Sequence, residues 1–145
     1  EIPGHTLGHI AFFFESESIV FTGDTLFSLG CGRIFEGTPE MMFDSLNKLK
    51  SLPEKTKVFC GHEYTLNNAI FLETIIKNDS LNKKIEDLKK MRERQEPSIP
   101  TTIGEEKELN FFLRSDEEDF KNQLKMTNKK DIDVFTYLRK LKDSF

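Results

Sequence analysis

The segment Val58-Phe59-Cys60-Gly61-His62-Glu63-Tyr64-Thr65 divides the chain into two kinds of sequence. Before it, short apolar runs alternate with glycine-rich turns. After it, the apolar residues recur at helical spacing. Val58 to Cys60 is long enough for a buried strand, and Gly61 lets the chain turn sharply at the strand's end. His62 is then left on a loop, where ligands and catalytic groups are usually placed. A lone histidine beside a strand is more often a packed or surface residue, so the rest of the chain must decide its role.

The first part predicts strand, strand, long loop, helix, strand. Glu1 to Gly8 is a Pro/Gly-punctuated loop. His9 to Glu15 is a strand with Ile10, Phe12 and Phe14 on one face and Ala11 and Phe13 on the other, a pattern that predicts cover on both sides. The polar turn Glu15 to Ser18 joins it to a second strand, Ile19 to Thr22, as a hairpin. Thr25 to Gly37 is a glycine-rich loop too apolar for disorder. Thr38 as N-cap and Pro39 at the first helical position open a helix with Met42, Phe43, Leu46 and Leu49 on one stripe, closed by Pro53.

Beyond Thr65 the periodicity predicts a helix to Ile76 and a second capped by Ser80, with Leu81, Ile85, Leu88 and Met91 inward and a solvated charged face. The pairs Thr102/Glu105 and Ser115/Glu118 have capping-box spacing and predict helix starts near Ile103 and Asp116. Asn110 to Arg114 is an apolar loop expected to plug into the core. The last helix spans about Asp131 to Asp143, with Ile132, Phe135, Leu138 and Leu141 inward and Arg139 and Lys142 three apart on a neighbouring face.

The 145 residues suffice for one compact domain or two small ones. With 37% hydrophobic and 32% charged residues the composition is that of a soluble globular chain. Fourteen Phe and no Trp predict a Phe-heavy core. A net charge of −4 argues against a general nucleic-acid binder. Cys31 and Cys60 cannot form a disulfide framework, fit a reducing compartment, and read as small buried hydrophobes. No apolar run reaches membrane-spanning length, so no membrane association is expected. The chain opens at Glu1 with no Met, and its first residues read as the middle of a domain, which predicts a preceding part.

Three residues can carry chemistry together: His5 in Pro3-Gly4-His5-Thr6, Asp24 in Gly23-Asp24-Thr25, and His62. Each adjoins a glycine, and each lies on a loop beside a predicted strand end. Imidazole and carboxylate are natural ligands for zinc and similar metals. Singly, each reads as structural. Together, with two of the chain's three histidines among them, they read as metal ligands. His9 enters the first strand and has a structural or ligand-orienting role.

The motifs Pro3-Gly4-His5-Thr6-Leu7-Gly8-His9, Phe21-Thr22-Gly23-Asp24-Thr25-Leu26-Phe27, Gly30-Cys31-Gly32-Arg33 with Phe35-Glu36-Gly37, and Cys60-Gly61-His62-Glu63-Tyr64-Thr65, together with the helical tail, resemble glyoxalase II, the hydroxyacylglutathione hydrolases of the metallo-β-lactamase fold. The resemblance implies an α/β (α+β) architecture. Residues 1–65 would be the second half of an αββα metallo-β-lactamase sandwich, and residues 66–145 an all-α substrate-binding domain. It implies hydrolysis of the thioester S-D-lactoylglutathione to D-lactate and glutathione by a metal-bound hydroxide, in methylglyoxal detoxification. The cofactors would be two divalent metals, zinc before iron or manganese. His5 would ligate the first metal, Asp24 would bridge, and His62 would ligate the second. Arg33, Phe35, Tyr64, Arg139 and Lys142 would bind the glutathione part.

Two departures stand out. Phe35 occupies a position where the family has Tyr, so a hydroxyl contact is lost. The family's His-x-His-x-Asp-His motif does not occur in these residues, so the chain alone is expected to bind at most one metal, weakly, and to show little or no turnover. Uncovered strand faces would favour self-association. The expected setting is the cytoplasm or an organelle. The alternatives are another metallo-β-lactamase-fold enzyme, such as a persulfide dioxygenase, and a non-catalytic module that binds glutathione thioesters.

Overall fold

A computed structural model describes residues 1–145. Its centre is a four-stranded sheet. Strand β1 (Phe12–Phe14) pairs antiparallel with β2 (Ile19–Gly23) through the predicted turn, with Phe13 opposite Val20. After the small β3–β4 hairpin (Leu26–Phe27 and Gly30–Cys31) and helix α1 (Pro39–Lys50), strand β5 (Lys57–Cys60) returns parallel to β2, with Val20 opposite Val58. A two-residue strand from the second part, β6 (Thr101–Thr102), pairs antiparallel with β5 and completes the order β1-β2-β5-β6.

The parallel β2–β5 pair sets up the site. It ends with Gly23 opposite Cys60, and Gly61 N–H donates to the Gly23 carbonyl at 2.8 Å. The residues that follow each strand, Asp24 and His62, therefore emerge side by side. The Thr25–Gly37 loop is apolar because it packs: Leu26, Phe27, Leu29 and Cys31 are buried, and Leu29 has a positive φ of 58°.

Helices α2 (Thr65–Ile75), α3 (Asp79–Glu93), α4 (Ile103–Leu109), α5 (Glu118–Gln123) and α6 (Asp131–Ser144) follow, with a 3₁₀ turn at Phe111–Leu113. Thr38 and Thr102 cap as expected, accepting from Met41 N and Glu105 N. The Asn110–Arg114 segment buries Phe111, Phe112 and Leu113, and with Phe71, Phe120 and Phe135 it forms the phenylalanine core. No helix is long and apolar enough to cross a membrane.

Some sequence expectations fail for local reasons. Helix α3 is capped by Asn78, two residues before Ser80, because its Oδ1 accepts from Leu81 N at 3.0 Å. Ser115 is buried without a partner, and α5 starts at Glu118 with no side-chain cap. Strand β1 is shorter than expected and covered on neither face: Phe12, Phe13 and Phe14 are all exposed, because no helix or second sheet layer packs over it. Its alternation is apolar on both faces, but nothing in the chain packs over either one. On α6 the buried face is Val134, Phe135, Leu138 and Arg139. Leu141 points outward, and the arginine takes an inward place.

Candidate active site

His5, Asp24 and His62 meet in a cleft of about 500 Å³. Asp24 stands between the two histidines. Its Oδ2 lies 3.6 Å from His5 Nε2, and its Oδ1 lies 3.5 Å from His62 Nε2. Both separations exceed a normal hydrogen bond. Two donors about 2.1 Å from one tetrahedral ion lie about 3.4 Å apart, so each His–Asp pair is spaced as two ligands of a common ion. No set of three or more His, Cys, Asp or Glu closes around a single point. Two imidazoles and a carboxylate are donors of the type that fits a divalent cation such as zinc.

The surroundings hold these groups in ligating form. His5 Nδ1–H donates to the Arg33 carbonyl at 2.8 Å, so the lone pair of Nε2 faces Asp24. The Asp24 backbone N–H donates to His9 Nε2 at 2.9 Å, which assigns His9 to positioning the Asp24 turn. His62 stacks on Tyr64, with ring centres 4.8 Å apart and planes 15° from parallel, and Phe27 packs against both rings. Phe35 is exposed and lies over His5 at 4.9 Å.

Glycine is required here for space. A Cβ on Gly32 would run into the Asp24 carbonyl oxygen, and one on Gly61 would run into Asp24 Oδ1. Gly32→Ala is expected to cost about 1–3 kcal/mol of stability through this overpacking. It should weaken zinc binding in parallel, measured by urea unfolding and zinc titration of the same protein.

The cleft also carries three cations. Arg33, Arg139 and Lys142 line it, with Asn67, Asn68 and Phe145. Arg139 is 4% exposed, and its guanidinium is largely engaged. Nη1 donates to the Cys31 carbonyl at 2.7 Å and the Gly32 carbonyl at 3.4 Å, and Nη2 pairs with Asp143 at 3.0 Å. It thereby ties α6 to the loop that carries Arg33. Lys142 Nζ is buried and has no hydrogen-bond partner. It lies 4.9 Å from the Phe71 ring centre and 4.7 Å from that of Phe145, a cation–π setting. Burial first, then repulsion from Arg139 and Arg33, lowers its pKa to about 8.

All eight residues singled out in the sequence line this one cleft. Sequence reasoning missed Phe27, Asn68, Asp143 and Phe145. Asp143 had a signal, its i+4 spacing from Arg139. Asn68 had none, because its role is to donate to the Ser28 carbonyl at 3.0 Å across 40 positions. Cys31 is buried and Cys60 half-buried, and burial raises both thiol pKa values, so neither is poised as a nucleophile.

Known proteins resemble this chain in sequence and fold. A family model described as "Hydroxyacylglutathione hydrolase C-terminus" matches residues 63–145, more than half of the chain, and one described as "Metallo-beta-lactamase superfamily" matches residues 1–62. A protein named hydroxyacylglutathione hydrolase from Pelagibacter ubique (strain HTCC1062) is 52% identical over 145 residues, covering 99% of this chain and 55% of the relative. One of the same name from Bartonella quintana (strain Toulouse) is 46% identical, covering 99% and 57%. The chain thus spans little more than half the length of these curated relatives. Among solved structures, ETHE1 from Myxococcus xanthus aligns with a TM-score of 0.54 at 25% identity, covering 95% of this chain and 42% of that one. The B3 metallo-beta-lactamase BLEG-1 aligns at 0.50 and 27%, covering 77% and 38%. The change of sequence character at His62 coincides with the junction of the two family matches, and the chain belongs to the hydroxyacylglutathione hydrolase C-terminal family, with a metallo-β-lactamase-superfamily region before it.

Proposed function

We propose that this chain forms part of a hydroxyacylglutathione hydrolase that cleaves the thioester of S-D-lactoylglutathione. The observation that carries the reading is the make-up of one cleft: two imidazoles and a carboxylate together with a buried unpartnered ammonium. A glutathione thioester matches it, with carboxylates at the peptide ends and the acyl–sulfur bond between them. His5, Asp24 and His62 would hold divalent cations, zinc before iron or manganese. A divalent cation bound there supplies Lewis acidity and lowers the pKa of water toward neutrality.

The chain's own residues do the rest. The Nδ1 bond to Arg33 keeps the His5 lone pair aimed at the centre. Tyr64 and Phe27 hold the His62 ring. Lys142 takes a peptide carboxylate in a charge-assisted contact, and Arg33 offers a second cation at the rim. With the Phe35 ring tilted against His5, that wall is apolar and orients the ligand by contact area rather than by a hydroxyl bond.

Lys142 gives the test. Below about pH 8 its ammonium is charged and unpaired, so glutathione binding should be strongest there and should weaken as pH rises through about 8. Lys142→Met keeps the packing against Phe71 and Phe145 but removes the charge. It is expected to weaken S-methylglutathione binding by about 10–100-fold in calorimetry at pH 7, the worth of one hydrogen bond to a charged group. Equal affinity in the variant, or affinity flat between pH 6 and pH 9, would overturn the assignment.

A further inference from the structure

One acid, Asp143, stands beside the arginines that line the cleft, and its placement is selective. Asp143 Oδ1 lies 3.0 Å from Arg139 Nη2 and 3.9 Å from Arg33 Nε. One oxygen therefore faces both guanidiniums, from α6 and from the Gly32–Arg33 loop. Lys142, the next residue in sequence, points its Nζ elsewhere, between the Phe71 and Phe145 rings, and has no acceptor. The three cations are thus of two kinds. Arg139 and Arg33 share an internal counter-ion, and Arg139 is further committed to the Cys31 and Gly32 carbonyls. Lys142 alone is uncompensated.

We propose that Asp143 is a specificity-determining residue of this cleft: an internal counter-ion that reserves Lys142 as the docking point for a ligand carboxylate and makes any second anionic group compete for Arg33. The inference rests on the reading of the cleft as an anion-binding site. The physical basis is competition. The Arg33–Asp143 pair is long and its side chains are 64% and 46% exposed, so it contributes little and an entering carboxylate can displace it. The Arg139–Asp143 pair is short and its arginine is buried, so it persists. With Asp143 present, a small dianion meets one free cation. With Asp143 neutral, it meets a second, Arg33, with the uncompensated charge of Arg139 behind it, and selectivity for a ligand long enough to reach beyond Lys142 falls.

Calorimetric titrations of the chain with glutarate and with S-methylglutathione test this in wild type, Asp143→Asn and Asp143→Glu. Asp143→Asn is expected to bind glutarate about 5-fold tighter, from loss of roughly 1 kcal/mol of charge competition near the surface. The salt dependence should become steeper, and Asp143→Glu should restore wild-type behaviour. If Asp143 only props Arg139, Asp143→Asn will instead bind both anions more weakly, with no steeper salt dependence, which overturns the proposal. Unchanged glutarate affinity also overturns it. If wild type binds S-methylglutathione no better than glutarate, the glutathione reading fails, while tighter glutarate binding by Asp143→Asn still supports the role of Asp143. Binding of neither anion by any of the proteins overturns both.

Discussion

Glu106→Ala is expected to lower stability by about 3–5 kcal/mol, while Glu106→Gln stays within about 1 kcal/mol of wild type at pH 7. Glu106 is completely buried, and its carboxyl gathers three donors. Oε2 accepts from Leu29 N at 2.9 Å and Asn110 Nδ2 at 2.8 Å, and Oε1 lies 2.8 Å from Thr101 Oγ1. Alanine would leave buried donors unpaired, each costing about 1–3 kcal/mol, and would open a cavity. That is a large share of the 5–15 kcal/mol that holds a typical domain together. It would also free the Phe27–Gly30 turn, which Asn110 otherwise fastens through the Gly30 carbonyl at 3.1 Å.

Counting hydrogens explains why glutamine is tolerated. Thr101 Oγ1 lies 2.8 Å from both Glu106 Oε1 and Glu105 Oε2, but a hydroxyl has one hydrogen to donate. With both carboxylates ionised, one contact goes without a proton. With Glu106 protonated, Glu106 donates to Thr101 and Thr101 donates to Glu105, which Lys84 holds at 2.6 Å. Glutamine reproduces that pattern: its N–H donates to Thr101 and its oxygen accepts from Leu29 N and Asn110. Burial pushes the Glu106 pKa up to about 7, opposed by the bonds from Asn110, Thr101 and Leu29. The native state then holds a proton that the unfolded chain has released between about pH 4.5 and pH 7. This group's contribution is full below about pH 4.5 and declines as pH rises through about 7. Urea unfolding across that window should show the decline in wild type and not in Glu106→Gln. An alanine variant within 1 kcal/mol of wild type, or a glutamine variant as damaged as the alanine one, would contradict this account.

Asp24→Asn is the second large effect, and it acts on binding rather than on folding. The substitution preserves the side chain's shape and the Asp24 N–H bond to His9 Nε2, so far-ultraviolet circular dichroism should be unchanged. It removes the charge and replaces one of the two carboxylate oxygens, Oδ2 facing His5 and Oδ1 facing His62, with an amide nitrogen. Loss of groups that merely orient a ligand costs metal sites about 10–100-fold, so loss of a direct carboxylate donor should cost at least about 100-fold in zinc affinity. His9→Ala removes only the acceptor of the Asp24 N–H and should fall within the 10–100-fold range.

The metal-ligand candidates were legible in sequence because each sits beside a glycine; Asp24 and His62 do follow strand ends, whereas His5 lies in a bend seven residues before β1. What brings them together was not. The hairpin rule joins β1 to β2, but the parallel β2–β5 pairing spans α1 and leaves no local signal. That pairing is what sets Gly23-Asp24 against Gly61-His62. The cap at Thr102 was readable from its own tetrapeptide, whereas Ser115 has the same spacing and does not cap, because packing takes it inside. Glu106 lies in Glu105-Glu106-Lys107-Glu108 and reads as solvated helix. Only its spacing from Ile103 and Asn110, three and four residues on one buried face, hints otherwise. Strand β1 shows the reverse error. Its apolar alternation reads as buried, but burial requires a neighbour, and its phenylalanines lie open to solvent.

The most direct test of the account's centre is a zinc titration followed by NMR of the three histidine rings in wild type and Asp24→Asn. The account predicts that His5 and His62 respond together at Nε2, that chelator reverses the change, and that His9 keeps the tautomer with hydrogen on Nδ1 imposed by the Asp24 N–H. Asp24→Asn should lose the response at the same zinc concentration. No response from His5 and His62, a response confined to His9, or a response in Asp24→Asn equal to that of wild type would contradict the assignment of His5, Asp24 and His62 as a shared metal-holding set.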